Sequence, residues 1–515
     1  MVDNRSWLSS FFQLGTVWLP LQHLAMLPFV WNNRLWQSGI AGSIPSMIAY
    51  VLGGLGIFRL VSGFTATPSP KSPQNTEQSP ASVIPACVAT AIYALNPNLL
   101  YMQVTAMNES IYMAFFIWAL VYLQEMLRAP AAHATDGEDP RTLSRERALE
   151  RCGICLAGGA WTRYDGWFTG AVLGVIVFVV LARRCYRETD ARRRRVLAKG
   201  LIEFLLLNAL IPVFWLAYNH RVSGRAMDWA NGPYSARAIA ERTTERGAAP
   251  YPGKDHPATA ALYFLKSAQL NMGDMRWGRA MLVLALLGSV GALWRFRQYK
   301  VGLLLWLPVA FYALSIAFGS VPIFIPAWWP FSYYNVRYGL ELLPVLAVFP
   351  VVLAMLIAER LHSRRRQLAV FALVVASVCG SYVTAWADVP ITLREARANS
   401  RTRLAMEDAL ANFLSRIPRN ATILMYEGSH VGALQRAGIP LKNVISEVSH
   451  PDWEWALLDP AQKADYIIAF QDDPVATAAK QHQGELREVM GITVPGQGRC
   501  RIYVPIAQPA SPRTP

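Results

Sequence analysis

The sequence predicts an α-helical polytopic membrane bundle of about ten spanning helices with a soluble α/β domain behind it. Three observations predict it. The chain of 515 residues is 53% hydrophobic with a mean hydropathy of +0.23, too apolar for an ordinary soluble enzyme of that length. Apolar runs of spanning length recur along it, separated by short basic runs. After Asp388 the texture changes to that of a small water-soluble unit.

Runs of spanning or near-spanning length lie at Ile40 to Ser62, Val83 to Tyr101, Ile111 to Leu127, Leu201 to Tyr218, Arg279 to Trp294, Val301 to Phe318, Tyr338 to Ile357 and Leu368 to Ala387. Each is predicted helical, because only a helix or a closed barrel satisfies its own backbone in lipid. The stretch from Cys152 to Ala182 is too long for one ordinary span and is interrupted by Thr162-Arg163-Tyr164-Asp165-Gly166. It reads as a hairpin of two helices, the first one short.

The net charge is +15, and the position of the charges decides what it means. They sit in runs between apolar stretches, at Arg145 to Arg151, Arg183 to Lys199, Arg295 to Lys300 and Arg360 to Arg366. That is the pattern of cytoplasmic loops under the positive-inside rule, and no basic aromatic stripe of the nucleic-acid kind is present. With every basic run in the cytoplasm, the turn at Thr105 to Ser110, the Arg163 break, the loops 219–277 and 320–337 and the tail all fall on the opposite side. The same topology puts residues 1–38 outside, where Trp7, Trp18, Trp31 and Trp36 mark interfacial helices interrupted by Pro20 and Pro28. The expectation that follows is a first transmembrane helix encoded upstream of Met1.

The domain plan is therefore external interfacial helices over 1–38, a bundle over 39–387 and a soluble α/β domain over 388–515. In that domain Leu404 to Ser415 has helical spacing, Ala421 to Tyr426 and Tyr466 to Phe470 read as buried strands, and Asn443 to Val448 as a third candidate. Without a Gly-rich phosphate loop, a Ser-His-Asp set or a metal cluster, it reads as a recognition or capping domain. The segments Phe64 to Ser82 and Ala129 to Arg141 are polar linkers. The six cysteines form no disulfide framework, and Cys152 and Cys155 read as small buried hydrophobes.

Four polar constellations collect on the predicted outer side, where ionisable groups at membrane depth are costly. Glu109, in Asn108-Glu109-Ser110, opens a helix; it is either a base or cation ligand, or a carboxylate favoured by the helix dipole. Arg163 either locks onto Asp165 or offers its guanidinium to a phosphate. Trp328, Trp329, Tyr333 and Tyr334 read most simply as an aromatic belt, and Arg337 at the same level as a snorkelling anchor or a ligand for a lipid phosphate. The loop 219–277, with Glu241, Glu245, Lys254, Asp255 and His256, is long enough to line or cover a site.

The order of Trp18-Leu19-Pro20-Leu21, Asn96-Pro97-Asn98, Met107-Asn108-Glu109, Thr162-Arg163-Tyr164-Asp165-Gly166-Trp167 and Arg337-Tyr338-Gly339-Leu340-Glu341-Leu342-Leu343-Pro344 resembles the GT-C glycosyltransferase superfamily, most of all its protein mannosyltransferase and aminoarabinose transferase type. The likeness covers roughly the first seven-tenths of the chain as topology plus scattered motifs. It implies a polyprenyl-phosphate sugar donor and transfer to an acceptor on the non-cytoplasmic face with inversion at the anomeric carbon. It further implies a catalytic role for Glu109, donor-phosphate binding by Arg163, Arg337 and Tyr338, and support from Asn108, Tyr164, Asp165 and Tyr334. The family's catalytic Asp follows the first transmembrane helix; Asp3, the sole carboxylate before the first predicted span, is the substitute candidate for it.

The expected function is thus a membrane glycosyltransferase of the cell envelope, in the plasma (inner) membrane with its C-terminal domain on the periplasmic or extracellular side. Its expected partners are the bilayer, the donor lipid and an acceptor lipid, glycan or protein, with no nucleic acid. No cofactor is dictated; Glu109 is compatible with a divalent cation, but no metal-ligand set is visible. Two other classes compete: a transporter or flippase for a lipid-linked or anionic solute lined by Glu109, Arg163 and Asp165, and a non-catalytic scaffold that retains the bundle.

Overall fold

The computed structural model describes residues 14–65, 80–128, 140–243, 249–428, 430–449 and 451–506. The chain divides into two units, one of Thr16–Ala25 with Gly42–Glu395 and the other of Met1–Gly15, Met26–Ala41 and Ala396–Pro515.

The larger unit is a helical bundle. Its helices include the first half of α1 (Leu21–Val30), α2 (Ile40–Thr65), α3 (Pro80–Ala94), α4 (Glu109–Arg128), α5 (Pro140–Thr162), α6 (Tyr164–Arg187), α7 (Ala191–Ser223), α8 (Pro257–Met272), α9 (Trp277–Trp294), α10 (Leu307–Phe318), α11 (Leu343–Ala358), α12 (Arg364–Ala387) and the start of α13 (Ile391–Leu414). Among the described residues seven helical stretches are long and apolar enough to cross a membrane, and Val83–Ala94 and Gly302–Phe318 are shorter apolar ones. The predicted hairpin is there, and its first arm is α5, whose first half is too polar to span.

Local chemistry sets the boundaries. Helix α4 opens on Glu109 and closes on Arg128, each at the end its charge favours. Asp190 caps α7 by accepting from the backbone N–H groups of Arg192 and Arg193 at 2.8 and 3.4 Å, and Gly224 ends it at φ +74°. Between α5 and α6 only Arg163 leaves the helical region, with φ −151° and ψ 154°. Gly166 then lies directly on the backbone of Gly159 and Ala160, a close approach with no room for a Cβ. Helix α11 is apolar on all sides because it runs through the middle of the bundle, with buried residues all along its length from Leu343 to Ala358.

Two sequence expectations change here. The run Val83 to Tyr101 is not one helix: α3 stops at Ala94, and a short helix, Pro97–Met102, restarts after Asn96. Pro97 has no N–H to continue the ladder, and Asn96 Oδ1 accepts from the N–H groups of Asn98 and Leu99, both at 3.0 Å. The loop 219–277 is largely helical, with Asp228–Asn231, Ala236–Thr243 and α8. Of its named residues, Glu245 lies outside the described residues.

The smaller unit carries a five-stranded sheet of β1 (Ile423–Met425), β2 (Val444–Ile445), β3 (Tyr466–Phe470), β4 (Leu486–Ile492) and β5 (Cys500–Pro505), in the order β2-β1-β3-β5-β4. The first three strands are parallel, with Ile423 opposite both Val444 and Tyr466; β3, β5 and β4 are antiparallel. Alternation builds two cores. Ile423, Met425 and Ile468 pack with Met406, Leu410 and Leu414 of α13, while Leu424, Ile467 and Ala469 pack with Trp453, Ala456, Val475 and Ala479. The three strands read from the sequence lie here, and the β4–β5 hairpin was not among them.

Carboxylates follow the ends of the parallel strands. Burial, and then the neighbouring Glu447, push the Glu427 carboxyl up to about 7. Burial outweighs the backbone N–H bonds from Ala476, Phe470 and Val475 and pushes Asp473 up to about 6. A carboxyl with a raised folded-state pKa binds its proton more tightly folded than unfolded, so its contribution is fully present below the unfolded value and is lost as pH rises through the folded one. Stability of this unit should therefore fall between about pH 4 and pH 7, by at most about 3 kcal/mol for each carboxyl before solvent screening is counted. Hydrogen-exchange protection of β1 and β3 in the full-length protein, corrected for intrinsic exchange, checks it: protection constant from pH 5 to 7.5 contradicts the expectation.

Candidate active site

The costly charges of the bundle meet in one buried cluster. Glu109 comes from the first residue of α4, Arg163 from the break between α5 and α6, and Asp165 from the first turn of α6. Tyr312 comes from α10, and Arg337, Tyr338 and Glu341 come from the 3-10 helix Val336–Leu342 that leads into α11. Glu395, in the first turns of α13, completes it.

Arg163 sits at the centre. Its Nε donates to Asp165 Oδ2 at 2.9 Å, Nη1 to Asn108 Oδ1 at 2.9 Å and Nη2 to Tyr312 Oη at 2.8 Å. Glu341 Oε1 lies 3.0 Å from Nη2, and Glu109 Oε1 lies 3.5 Å from Nη1. The Tyr312 hydroxyl in turn donates to Glu341 Oε1 at 2.6 Å. Arg337 Nε donates to Glu109 Oε1 at 2.9 Å, and its Nη1 lies 3.6 Å from Glu395. Both guanidiniums stand over the Tyr338 ring, at 5.0 Å for Arg163 and 4.8 Å for Arg337.

Two guanidiniums thus hold four carboxylates, and the carboxylates are nearly all out of solvent: side-chain exposure is 1% for Glu109, 2% for Asp165, 0% for Glu341 and 8% for Glu395. One oxygen of each glutamate, Oε2 of Glu109, Glu341 and Glu395, is buried without a hydrogen-bond partner. Burying an ion with unused acceptor capacity is expensive, so such a group is held there by its surroundings rather than by its own bonding. Packing supplies the hold. Gly339 allows its 3-10 helix to lie against the backbone of Ser267 and Ala268 on α8, while Ser267 Oγ and Asn271 Nδ2 both donate to Val336 O at 2.7 Å. Phe264 stacks on Tyr312 with ring centroids 4.5 Å apart.

The structure brings together Asn108, Glu109, Arg163, Asp165, Arg337 and Tyr338 of the residues singled out from the sequence. Tyr164 turns away: its hydroxyl donates to Val17 O at 2.7 Å and accepts from Trp215 Nε1 at 3.1 Å, and its ring stacks on Trp229. Tyr334 pairs with Phe324 through an isolated bridge and is 41% exposed. Asp3 lies outside the described residues. Three members were not singled out. Glu341 had a signal, a carboxylate inside an apolar run; Tyr312 and Glu395 had none. Among the described residues no three Asp, Glu, His or Cys side chains converge as a metal-ligand set.

No family model and no curated protein matches the sequence. Among solved structures the chain is similar to the crystal structure of ArnT from Cupriavidus metallidurans in the apo state, with a TM-score of 0.50 and 10% identity over 96% of this chain and 89% of that one. It is also similar to the ArnT crystal structure bound to undecaprenyl phosphate, with a TM-score of 0.45 and 12% identity over 91% and 85%. At such identity the first likeness speaks to architecture alone, and with the apolar helices it makes this chain a multi-pass membrane protein with an ArnT-like fold.

Proposed function

We propose that this chain is a membrane glycosyltransferase that moves a sugar from a polyprenyl-phosphate donor to an acceptor hydroxyl at the non-cytoplasmic face, with inversion. The observation that carries the reading is the posture of Glu109. Its Oε1 is fixed by Arg337 at 2.9 Å and faces Arg163 at 3.5 Å, while its buried Oε2 has no partner. A carboxylate oriented through one oxygen and free at the other is placed to take a proton from an acceptor hydroxyl as that oxygen attacks the anomeric carbon. The bond from that carbon to the donor phosphate breaks on the opposite side, and the phosphate leaves as an anion.

Arg337 suits the departing phosphate better than Arg163. It is the more exposed of the two, at 21% against 13% for the side chain, and its bonds to Glu109 and Glu395 use Nε and Nη1. Arg163 has each nitrogen engaged, so its role in this reading is to position Glu109, Asp165 and Glu341. The same occupancy weakens the case for an anion path lined by Arg163.

The test is a transfer assay with membranes that contain the full chain and labelled polyprenyl-phosphate sugars. Label should move from the donor to an endogenous lipid, glycan or protein acceptor, above membranes without the chain. Absence of transfer from every such donor, with the protein shown to be folded and inserted, would overturn the proposal.

A further inference from the structure

A second cationic group lies at the turn from α8 to α9. Lys266 on α8 is 6% exposed, yet its neighbours supply no negative charge. Its Nζ donates to Gln269 Oε1 at 2.8 Å, touches Met275 Sδ at 2.9 Å and stands 5.5 Å over the Trp328 ring. Arg279 converges on the same residue, with Nε donating to Met275 O at 2.6 Å. Among the described residues neither Lys266 nor Arg279 forms an ion pair. Asp274, the acidic residue of the turn, spends its Oδ1 on the N–H groups of Arg276 and Trp277 at 3.0 and 2.8 Å.

A buried ammonium without a counter-charge is the arrangement proteins avoid unless an anion arrives to complete it. An amide oxygen, a thioether and an aromatic face are weak substitutes; burial, and then Arg279, hold the Lys266 ammonium below the usual lysine range. The cover is a flexible one: Met275 is 39% exposed, and rotation of its unbranched side chain frees Nζ. Trp277 at the turn is 38% exposed, and Trp329 and Phe331, in the loop that carries Trp328, are 46% and 68% exposed. That combination of cation and amphipathic ring matches headgroup depth in a bilayer.

We infer that Lys266 and Arg279, beneath Met275, form an anion site for a phosphate group carried by an amphiphile. Lys266 Nζ supplies the charge-assisted bond, Arg279 supports it from beside, and Gln269 holds the turn by donating Nε2 to Met275 O at 3.3 Å. The bonds of Lys266 and Arg279 go to Gln269 and Met275 and not to the Glu109 cluster, and nothing in the inference requires sugar transfer.

Binding to the full-length protein in detergent, followed through tryptophan fluorescence, tests it with two probes: decyl phosphate and inorganic phosphate. Lys266→Met should weaken decyl phosphate binding by about 10- to 100-fold, the equivalent of one charge-assisted bond, while Lys266→Arg retains it. Met275→Ala should strengthen it several-fold by uncovering Nζ. Loss of inorganic phosphate binding in parallel would assign the site to the phosphate group alone, and loss confined to decyl phosphate would assign it to a lipid headgroup. Should Lys266→Met fail to fold, Met275→Ala decides by itself, through the expected several-fold gain in decyl phosphate binding. Equal affinity for both probes across wild type, Met275→Ala and every folded Lys266 variant would overturn the inference, whatever the outcome of the transfer assay.

Discussion

Glu109→Gln should remove sugar transfer and leave the bundle standing. The amide keeps an oxygen for Arg337 at the 2.9 Å position and nearly the same volume, so the scaffold around α4 has little reason to move. What disappears is the proton acceptor at Oε2, which has no partner to share the loss. General-base catalysis contributes about 10²- to 10⁴-fold, and kcat should fall by that much. The donor KM should stay within about two- to three-fold, because an interaction made only in the transition state leaves ground-state binding alone. Single-turnover transfer with purified variant and wild type separates the two constants. A scaffold that had lost catalysis would give the same signal with both, and a purely structural Glu109 would lower thermal stability without selecting kcat.

What the sequence revealed follows from where water and lipid set the rules. Most of the spans were legible as apolar runs, Val83 to Tyr101 excepted, and the hairpin break at Arg163 because a charged residue in such a run is costly enough to stand out in one dimension. Glu341 obeyed the same rule and was still passed over, since it follows Arg337 and Tyr338 closely enough to read as part of their motif. Helix α8 escaped for the opposite reason. Its apolar stripe of Ala260, Phe264, Ala268 and Met272 is one residue wide, and Lys266, Ser267, Gln269 and Asn271 are buried beside it, so the pattern reads as polar. Only its bonds to Val336 O and to Met275 explain why such residues are inside. The β4–β5 hairpin was missed because β4 is buried at Leu486 and Ile492 and exposed at the five residues between, leaving no alternation to read. Its turn did carry a signal in Pro495-Gly496-Gln497-Gly498, with Gly496 at φ +78°.

Arg163→Met should be the most damaging single change to stability in the bundle. The substitution keeps the length and most of the apolar stem, so the cost is electrostatic rather than a cavity. It takes a cation from between Asp165, Glu341 and Glu109, at 2.9, 3.0 and 3.5 Å, and strips a donor from Asn108 and Tyr312. Among the described residues the ion pairs of Arg337 are with Glu109 and Glu395 alone, so Asp165 and Glu341 are left buried side by side with no positive partner. Breaking a buried pair in this way costs about 3 to 5 kcal/mol, and here two carboxylates lose the same partner. Arg163→Lys should fall in between, because a single ammonium cannot bond Asp165, Asn108 and Tyr312 at once from three nitrogens. The decisive comparison is the double variant Arg163→Met with Glu341→Gln. If the penalty is uncompensated charge, removing one carboxylate returns a substantial part of the loss, and the two changes are far from additive. Unfolding of the purified proteins in mixed micelles reads all three. A loss under about 1 kcal/mol for Arg163→Met, or strict additivity in the double variant, would mean that the charges are not coupled through Arg163 and that Glu109 owes its orientation to Arg337 alone.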